Sequence, residues 1–576
     1  MKLDARIRTG GAFALLVQLA VGLLSGTPVS PSTPERLTVR IPMKDGVRLS
    51  AHVYKPPGSA KSPVILIRTP YGKSADLLAN YRAFVERGYT VVVQDVRGRY
   101  ESEGTFRPMV QEASDGNDTL NWIARQTWSN GKIGMLGGSY VGIVQWRAAL
   151  TGNPHLKAIS PVVSGYDEYR DRYYSPGGAL KLGHRLLWLS ENLRLPSAPK
   201  SEFREFTRHL PVRTLDKLAT GQRVESYQEA LNHPGYDAYW KAISTREHIG
   251  NVRVPVFSVA GWYDNYVQSD LEAFALLSAR SAAPRIVVGP WPHNMSIPFP
   301  DVSFGANSSA PIRRFQLEWF DYWLKTPQPA PEFRAAPVRI FVMGANRWRD
   351  EREWPLARTR FTPMYLAGRG DANTAKGDGL LAPEPHRSDL PDEFTYDPRK
   401  PVPTLGGSVC CNPKVFPWGP LDQRAAEARM DVLVFTTPPL RQDLEVTGPV
   451  RVNLFISTSA PDTDFTAKLV DVHPDGPARI LTDGILRLRY RNSLERAVLA
   501  KPGEIYQVTI DAGVTSNVFK AGHRIRLDIS SSNFPRFDRN PNTGRTIADE
   551  TELRVATQTI YHGRNYPSHV LFPVIP

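Results

Sequence analysis

Short, uninterrupted apolar runs alternate with stretches of helical spacing along the first part of this chain, and this alternation constrains the fold more than any other feature. Residues 63–68 (PVILIR), 90–94 (TVVVQ) and 132–136 (KIGML) are such runs. Their length and β-branched content are typical of strands that are buried on both faces of a parallel sheet. Helical spacing occurs at residues 78–86 and 140–150. The sequence therefore predicts a doubly wound α/β sheet.

Segments of other kinds frame and interrupt this alternation. Residues 37–54 alternate apolar and polar side chains around a Lys-Asp-Gly turn, which predicts an antiparallel hairpin. After residue 163, helical stretches rich in Leu, Tyr and Trp replace the strand pattern and predict an inserted helical cap. Strand-like runs return at 254–259 (VPVFSV) and 285–288 (RIVV), which predicts that the α/β sheet continues after the cap.

The N-terminus carries Lys2, Arg6 and Arg8 ahead of an apolar run at residues 11–24. A basic segment followed by a short apolar run is typical of a secretory signal, and the run is short for a membrane span. We therefore expect export to the periplasm or the medium. An uncleaved N-terminal anchor is the alternative.

The last part of the chain has a different character. Short strand patterns separated by Gly and Pro turns dominate beyond a proline-rich stretch, which is typical of a jelly roll or β-sandwich. The predicted organisation is a signal peptide (1–30), an α/β core in two parts (35–163 and 248–325), a helical cap (164–247), a linker (326–337) and an all-β jelly-roll domain (338–576).

Charge and cysteine content exclude several classes of protein. The chain has 71 basic and 57 acidic residues, a net charge of +14, but its basic residues are dispersed, which argues against a nucleic-acid partner. The two cysteines, Cys410 and Cys411, are adjacent and cannot close a loop, so we interpret them as thiols. Too few ligand residues accompany them for a zinc site. No metal and no organic cofactor are predicted.

Residues 137–142 (GGSYVG), between a predicted strand and a predicted helix, are the strongest candidate for chemistry. A serine on such a turn projects its hydroxyl above the sheet, and the glycines permit the sharp backbone and the close approach of the helix. The start of the helix offers N–H groups to a developing negative charge. Val141 and Gly142 depart by one position from the usual G-x-S-x-G spacing. A glycine-rich turn with an idle serine is the alternative interpretation.

A serine nucleophile requires a base and an acid that orients the base. In folds of this kind the acid and then the histidine follow the serine in the chain. Asp264 comes just after the strand-like run 254–259, and His293 comes just after the run 285–288. Their order and their positions after predicted strands predict a catalytic triad of Ser139, Asp264 and His293.

Several motifs of this chain resemble one family of serine hydrolases. Besides GGSYVG they are RTPYGK (68–73), VVVQDVRGRYESEG (91–104), GWYDNY (261–266), GPWPH (289–293) and FKAGHRIRLDISSSNFPRFDRNPNTG (519–544). Their content and order resemble the cocaine-esterase-like and X-prolyl dipeptidyl-peptidase family over nearly all of the chain after the predicted signal peptide. The resemblance implies an α/β-hydrolase core, a helical cap and a C-terminal jelly roll.

The same resemblance implies roles for individual residues. Ser139 is the implied nucleophile, His293 the general base and Asp264 its orienting partner. An oxyanion hole is implied at the Tyr71 hydroxyl and the backbone N–H of Tyr140. The expected function is that of an exported hydrolase of the carboxylesterase or acylase type, which cleaves a small ester or amide through an acyl-enzyme.

The sequence constrains the substrate pocket less. Trp262 and Trp291, which lie next to the candidate triad residues in the chain, are predicted to line it together with Tyr166 and Asp167 of the cap. The segments that can be placed at the site contribute aromatic residues and one carboxylate, Asp264, which is predicted to pair with His293. A substrate ammonium group would then lack a compensating carboxylate, so we expect a preference for uncharged acyl groups.

Two alternatives stay open at this stage. An X-Pro dipeptidyl peptidase or an α-amino-acid ester hydrolase binds a substrate ammonium group and needs a carboxylate cluster, for which Asp167, Glu168 and Asp171 are the candidates. A non-catalytic protein that binds carbohydrates or surfaces through the jelly roll is the alternative outside enzymes. Three candidate triad residues in the expected order argue against that second alternative.

Overall fold

The computed structural model describes residues 35–576 except 59–60, 74–76, 199–201, 281–282, 326–335 and 388–389. The predicted signal peptide at 1–30 and most of the predicted linker lie outside the described residues. Within the described part of the chain, no helix combines the length and the apolar content needed to cross a membrane.

Ten strands form the first sheet. They are β1 (Glu35–Pro42), β2 (Arg48–Lys55), β3 (Ser62–Thr69), β4 (Thr90–Asp95), β5 (Ser129–Gly138), β6 (Leu156–Val162), β7 (Phe257–Tyr263), β8 (Arg285–Pro292), β9 (Val338–Val342) and β10 (Arg347–Glu351). Their spatial order is β1-β2-β4-β3-β5-β6-β7-β8-β9-β10. Neighbours from β4 to β9 are parallel, whereas β1, β2 and β10 pair antiparallel. The predicted α/β class and the predicted N-terminal hairpin are confirmed.

Helices cover both faces of this sheet. They are α1 (Leu77–Glu86), α2 (Glu112–Ala124), α3 (Tyr140–Ala149), α9 (Val267–Ser278) and α10 (Ile312–Leu324). Val64 and Leu66 of β3 belong to one apolar core together with residues of α2, α3 and α9, whereas Ile65 and Ile67 belong to a second core with residues of α1 and α10. Alternate side chains of one strand thus face opposite layers, which is why β3 has no polar face.

The segment between β6 and β7 is helical, as predicted for the cap. A π-helical turn (Glu168–Tyr173) begins it, and five helices follow: α4 (Leu182–Asn192), α5 (Phe203–Phe206), α6 (Leu215–Thr220), α7 (Glu225–Asn232) and α8 (Ala238–Ile243). Among the described residues of 164–247, β-pairing is confined to one isolated bridge between Tyr174 and Leu180.

The second sheet contains the remaining strands and is mostly antiparallel. They are β11 (Arg360–Ala367), β12 (Leu380–Ala382), β13 (Asp392–Tyr396), β14 (Leu433–Thr436), β15 (Leu444–Thr458), β16 (Asp464–Val472), β17 (Ala478–Arg487), β18 (Tyr506–Phe519), β19 (Arg524–Ser530), β20 (Ala556–Tyr561) and β21 (His569–Ile575), with one short helix, α11 (Arg424–Glu427). We call residues 360–576 the β domain. Its specific jelly-roll topology stays a prediction.

The predicted domain boundary at residue 338 is wrong, because the two strands that follow it belong to the first sheet. β9 pairs in parallel with β8 through Ile286–Val338 and Val288–Ile340, and β10 then pairs with β9. Both strands therefore extend the first sheet instead of beginning the β domain. The sequence pattern identified a strand at 338–343 but not its partner, because pairing partners are chosen by long-range packing.

The interpretation of the two cysteines as thiols is also wrong. Cys410 and Cys411 form a disulfide between adjacent residues whose Cα atoms are 3.7 Å apart. Cys411 adopts a left-handed backbone conformation with φ of +99°. The bond closes no loop, in agreement with the predicted absence of a disulfide framework.

Candidate active site

Ser139 occupies the turn between β5 and α3 in a strained backbone conformation. Its φ of 56° and ψ of −126° lie outside the regions that L-residues favour, and its N–H donates to Val162 O at 2.9 Å. A Cβ added to Gly137 would lie 2.2 Å from Val141 Cγ1, and one added to Gly142 would lie 2.4 Å from Ser164 Cβ. The glycines are therefore required for helix α3 to pack this closely, and the side chain of Ser139 stays partly exposed at the edge of the sheet.

Asp264 and His293 follow the neighbouring parallel strands β7 and β8, and they contact each other. His293 Nδ1 lies 2.6 Å from Asp264 Oδ1. Asp264 is fully buried, and its second oxygen, Oδ2, accepts the N–H of Tyr266 at 3.0 Å. This arrangement orients the imidazole and leaves Nε2 as the atom that can accept a proton.

The two candidate oxyanion donors lie on different elements. Tyr140 is the first residue of α3, where helix geometry leaves its N–H without an intrahelical acceptor. Its side chain is buried for a structural reason, since the hydroxyl donates to Glu112 Oε1 at 2.8 Å and accepts the Met109 N–H at 3.0 Å. Burial raises the pKa of Tyr140 well above its usual value, so the hydroxyl stays protonated.

Tyr71 follows β3 and is 38% exposed. Its hydroxyl oxygen accepts the indole N–H of Trp188, from α4, at 3.3 Å. Among the described residues it donates to no acceptor, so its proton is free for a ligand. The Trp188 ring also stacks on Tyr140, with centroids 6.2 Å apart and planes 14° from parallel. Trp188 therefore contacts both residues that were predicted to form the oxyanion hole.

Known proteins resemble this chain over most of its length. Residues 45–295 match the X-Pro dipeptidyl-peptidase (S15 family), and residues 332–571 match the X-Pro dipeptidyl-peptidase C-terminal non-catalytic domain. The cocaine esterase of Rhodococcus sp. (strain MB1 Bresler) is 42% identical over 570 residues, which cover 93% of this chain and 98% of the esterase. The chain belongs to the cocaine-esterase-like and X-Pro dipeptidyl-peptidase family. It is a serine hydrolase.

Two solved structures resemble this serine hydrolase over almost their whole length. An aminopeptidase from a marine sediment Thaumarchaeota archaeon superimposes with a TM-score of 0.84 at 26% identity, covering 94% of this chain and 97% of the other. An α-amino acid ester hydrolase superimposes with a TM-score of 0.80 at 26% identity, covering 96% and 99%. The two-part architecture of core and β domain is therefore common to these hydrolases.

Two predicted pocket residues of this hydrolase lie in the apolar core instead. Trp262 is 1% exposed and its indole N–H donates to Phe341 O at 2.7 Å. Trp291 is 2% exposed and donates to Ser308 O at 3.0 Å. Their interpretation as pocket residues is corrected, because each indole is enclosed and its polar atom is already used by the backbone.

Tyr166 and Asp167 belong to the beginning of the cap and are also buried. Asp167 accepts the N–H groups of Tyr169 and Arg170 at the start of the π-helical turn, both at 3.1 Å, and pairs with the Arg170 guanidinium at 2.8 Å. The Tyr166 hydroxyl lies 3.5 Å from Glu272 Oε2. Both residues are committed to folding the cap, and Asp167 has no free oxygen left to line a substrate pocket.

The other two acids of this turn are likewise paired inside the protein. Glu168 forms a salt bridge with Arg172 at 2.5 Å. Asp171 Oδ2 accepts the N–H groups of Tyr166 and Asp167 at 2.9 and 2.7 Å and the Ser269 hydroxyl at 2.6 Å. Burial, and then the nearby Asp167 charge, raises the pKa of Asp171 to about 6.

The structure adds residues that sequence reasoning missed. His184, four residues before Trp188 on the same face of α4, contacts the Tyr266 hydroxyl through Nε2 at 3.3 Å. Tyr266 in turn packs edge-on against His293, with ring centroids 5.6 Å apart. Burial lowers the pKa of His184 well below its usual value, which keeps the imidazole neutral. The sulfurs of the Cys410–Cys411 disulfide lie within 4.8 Å of a ring nitrogen of His184.

A signal for this helix was present in the sequence. His184 and Trp188 have the i, i+4 spacing of one helix face in an otherwise apolar segment. The pattern identifies a shared face but not what the face covers. In the structure that face lies over the candidate site and makes α4 its wall.

Proposed function

We propose that this serine hydrolase is an esterase or acylase that acts through Ser139, His293 and Asp264. The observation that carries the proposal is the 2.6 Å contact of Asp264 with His293 at the carboxyl ends of β7 and β8, in the same parallel sheet whose strand β5 leads into the Ser139 turn. A strained serine, an oriented imidazole and two donors on separate elements are the parts that acyl transfer requires.

In the proposed mechanism, His293 Nε2 takes the proton of Ser139 as Oγ attacks the substrate carbonyl carbon. The resulting oxyanion accepts hydrogen bonds from the Tyr71 hydroxyl and the Tyr140 N–H. His293 then gives the proton to the leaving alcohol or amine, and the carbon–heteroatom bond breaks to leave an acyl-Ser139. Water, deprotonated by His293, attacks the acyl-enzyme and returns the serine hydroxyl.

For the substrate, we propose an uncharged acyl group. Two of the candidate acids for an ammonium site are ion-paired, Asp167 with Arg170 and Glu168 with Arg172, and beside the third the Lys181 ammonium donates to the backbone oxygen of Asp171 at 3.2 Å. A substrate ammonium would have to displace one of these cations, and its desolvation would then not be compensated. The name of the 42% identical relative, a cocaine esterase, supports an ester as the bond that is cleaved.

A substrate with a free α-amino group is the second candidate. It is favoured by one observation, the structural similarity to an aminopeptidase and to an α-amino acid ester hydrolase. The two candidates share the nucleophile and differ only in what binds the acyl side of the substrate.

Labelling with a fluorophosphonate probe tests the nucleophile. We expect stoichiometric labelling of the wild type, none of Ser139→Ala, and full labelling of Ser296→Ala, an exposed serine three residues after His293. Full labelling of a folded Ser139→Ala variant would refute the assignment.

A substrate panel separates the two candidates. We expect a higher kcat/KM for short-chain p-nitrophenyl esters than for Ala-Pro-nitroanilide or β-lactam side-chain amides with a free amino group. A preference for the dipeptide that disappears in Asp171→Asn would establish the peptidase alternative.

We further propose that the protein is exported, on the basis of the basic and apolar pattern of residues 1–30. Cell fractionation followed by N-terminal sequencing of the mature chain tests this. An intact N-terminus in the cytosolic fraction would contradict it.

A further inference from the structure

A second cluster of chemically active side chains lies in the β domain. One carboxylate oxygen of Asp471 and one ring nitrogen each of His473 and His523 lie within 4.8 Å of one another. His523 Nδ1 is 2.8 Å from Asp471 Oδ1, and His473 Nε2 is 3.9 Å from Asp471 Oδ2. The two imidazole rings have centroids only 4.4 Å apart. None of these three residues has a part in the proposed acyl transfer.

Sheet register brings the three residues together. Asp471 lies at the end of β16, and His473 directly follows that strand, whereas His523 directly precedes β19. The two strands are neighbours, and their last paired residues are Val472 and Arg524. Both histidines are therefore held in adjacent turns by the ladder itself, as in a site built on rigid elements.

The turns are also held by their own hydrogen bonds. His473 N donates to Pro477 O at 2.9 Å, and Gly476 N donates back to His473 O at 3.0 Å. His523 N donates to Lys520 O at 3.0 Å. The backbone that carries both imidazoles is therefore ordered without any contribution from the rings.

The neighbouring cations do not use the Asp471 carboxylate. Lys520 pairs with Asp443 at 2.8 Å, and Arg479 donates to Pro420 O. The carboxylate contacts the two histidines and, at 3.5 Å, the amide of Asn517. A single histidine would be enough to pair with one aspartate. An ion pair alone does not explain why a second imidazole lies against the first.

The cluster is accessible from a cavity of about 250 Å³. The His473 side chain is 37% exposed, whereas that of Asp471 is 8% exposed. An ion can thus enter beside His473 and meet a largely desolvated carboxylate.

We propose that Asp471, His473 and His523 bind a divalent transition-metal ion of the zinc type. Two imidazoles with one carboxylate are a preferred ligand set for such ions, and water would complete the coordination. Ligands on one zinc ion lie about 3 Å apart, given metal–ligand distances of about 2 Å. Binding would therefore require the 37% exposed His473 side chain to rotate toward Asp471.

The location predicts what the ion would do. The same cavity is lined by Tyr263, the residue before Asp264, and by Gly344 and Asn346 of the turn between β9 and β10. At this place Met343 N donates to Ser516 O, and Val518 N donates to Met343 O, which joins the first sheet to the β domain. A bound ion would stabilise this contact and would take no part in acyl transfer.

Calorimetric titration tests the proposal. An untagged full-length chain is stripped with chelator, dialysed and titrated with ZnCl₂. We expect one ion per chain with micromolar or tighter affinity, weakened at least tenfold in His473→Ala and in His523→Ala. The matched control is His233→Ala, since His233 also lies 2.6 Å from one carboxylate, Asp237, but belongs to no three-ligand cluster within the described part of the chain.

Two further measurements keep the test decisive. Zn²⁺ should raise the thermal midpoint of the wild type but not that of the double variant His473→Ala/His523→Ala, while ester hydrolysis stays unchanged. Co²⁺ bound to the wild type should show ligand-field absorption, which requires no variant to fold. Equal zinc affinity of the wild type and the double variant, or a wild type that binds neither ion, would overturn the proposal.

Discussion

Trp188 links the two candidate oxyanion donors. Its indole N–H donates to the Tyr71 oxygen at 3.3 Å while its ring stacks on Tyr140. A hydroxyl that accepts a hydrogen bond becomes a better donor, because hydrogen bonds in a chain polarise one another. The indole therefore occupies one lone pair of the Tyr71 oxygen, leaves its proton available and strengthens the hydroxyl as a donor.

For Tyr71→Phe we expect kcat to fall about a hundredfold, the size of the loss of one oxyanion donor. KM should change little, because this hydrogen bond strengthens mainly in the transition state. Tyr100→Phe, an exposed tyrosine near the same loop, is the control and should keep wild-type kinetics. A rise in KM at constant kcat would make Tyr71 a binding residue instead.

For Trp188→Phe we expect kcat to fall roughly three- to tenfold, the size of a net neutral hydrogen bond. The aromatic ring that stacks on Tyr140 is retained, so folding should be unaffected. The decisive measurement is the double variant with Tyr71→Phe. If Trp188 acts only through Tyr71, the second substitution lowers kcat no further; additive losses would contradict this positioning role.

At the scale of elements, buried acids hold the π-helical turn Glu168–Tyr173 in place. The turn begins at Asp167, which caps it, and Asp171 accepts hydrogen bonds from the backbone that leads into it. Asp171 shares a cavity lining with Lys181 and Asp264, and burial lowers the pKa of Lys181 to about 8. A buried lysine therefore lies among these carboxylates close to the candidate triad.

The raised pKa of Asp171 predicts a pH dependence of stability. Between pH 3.8, its ordinary pKa, and about 6, the folded state holds a proton that the unfolded chain has released, so stability falls as pH rises through this window. Relative to Asp171→Asn, the unfolding free energy of the wild type should decline by up to about 3 kcal/mol over this range. Denaturant unfolding at several pH values measures it.

The control for this experiment is Asp301→Asn, at an exposed aspartate. It removes the same charge without the burial and should leave the pH profile of the wild type unchanged. A stability difference between wild type and Asp171→Asn that is constant from pH 4 to pH 6 would contradict the proposed titration.

At the scale of the whole molecule, the cap and the β domain are joined by buried polar contacts. Leu180 of the cap donates its N–H to Asp538 Oδ1 and accepts the Asp538 N–H, both at 2.9 Å. Arg487 bridges Asp538 at 2.7 Å and Asp464 at 2.9 Å, and its own N–H donates to Gly177 O. One guanidinium thus bridges two buried carboxylates at the domain contact.

Arg487→Met should therefore destabilise the protein by about 3–5 kcal/mol, because it leaves Asp464 and Asp538 buried without their cation. The midpoint of thermal unfolding measures the effect. Arg424→Met is the control, since Arg424 pairs with Asp422 at the surface and its loss should leave the midpoint unchanged. Equal midpoints for both variants would mean that the buried pair does not stabilise the contact.

Local pattern was enough to predict much of the candidate site. The strand runs that precede Ser139, Asp264 and His293 are continuous apolar segments, and such segments become parallel strands of one sheet in an α/β fold. Because the carboxyl ends of these strands meet at one edge, the contact of Asp264 with His293 was predictable from positions alone. The helical cap and the strand-rich last part followed from periodicity in the same way.

Only the tertiary structure decided which polar side-chain atoms already form hydrogen bonds inside the protein. Trp262 and Trp291 look like pocket residues in the chain, but distant carbonyls of Phe341 and Ser308 bind them in the core. The pairing of β9 with β8 and the contact of Trp188 with Tyr71 likewise join segments far apart in sequence. Periodicity records which face of an element is apolar. It carries no information about the partner of that face, because the partner is chosen by the packing of the whole molecule.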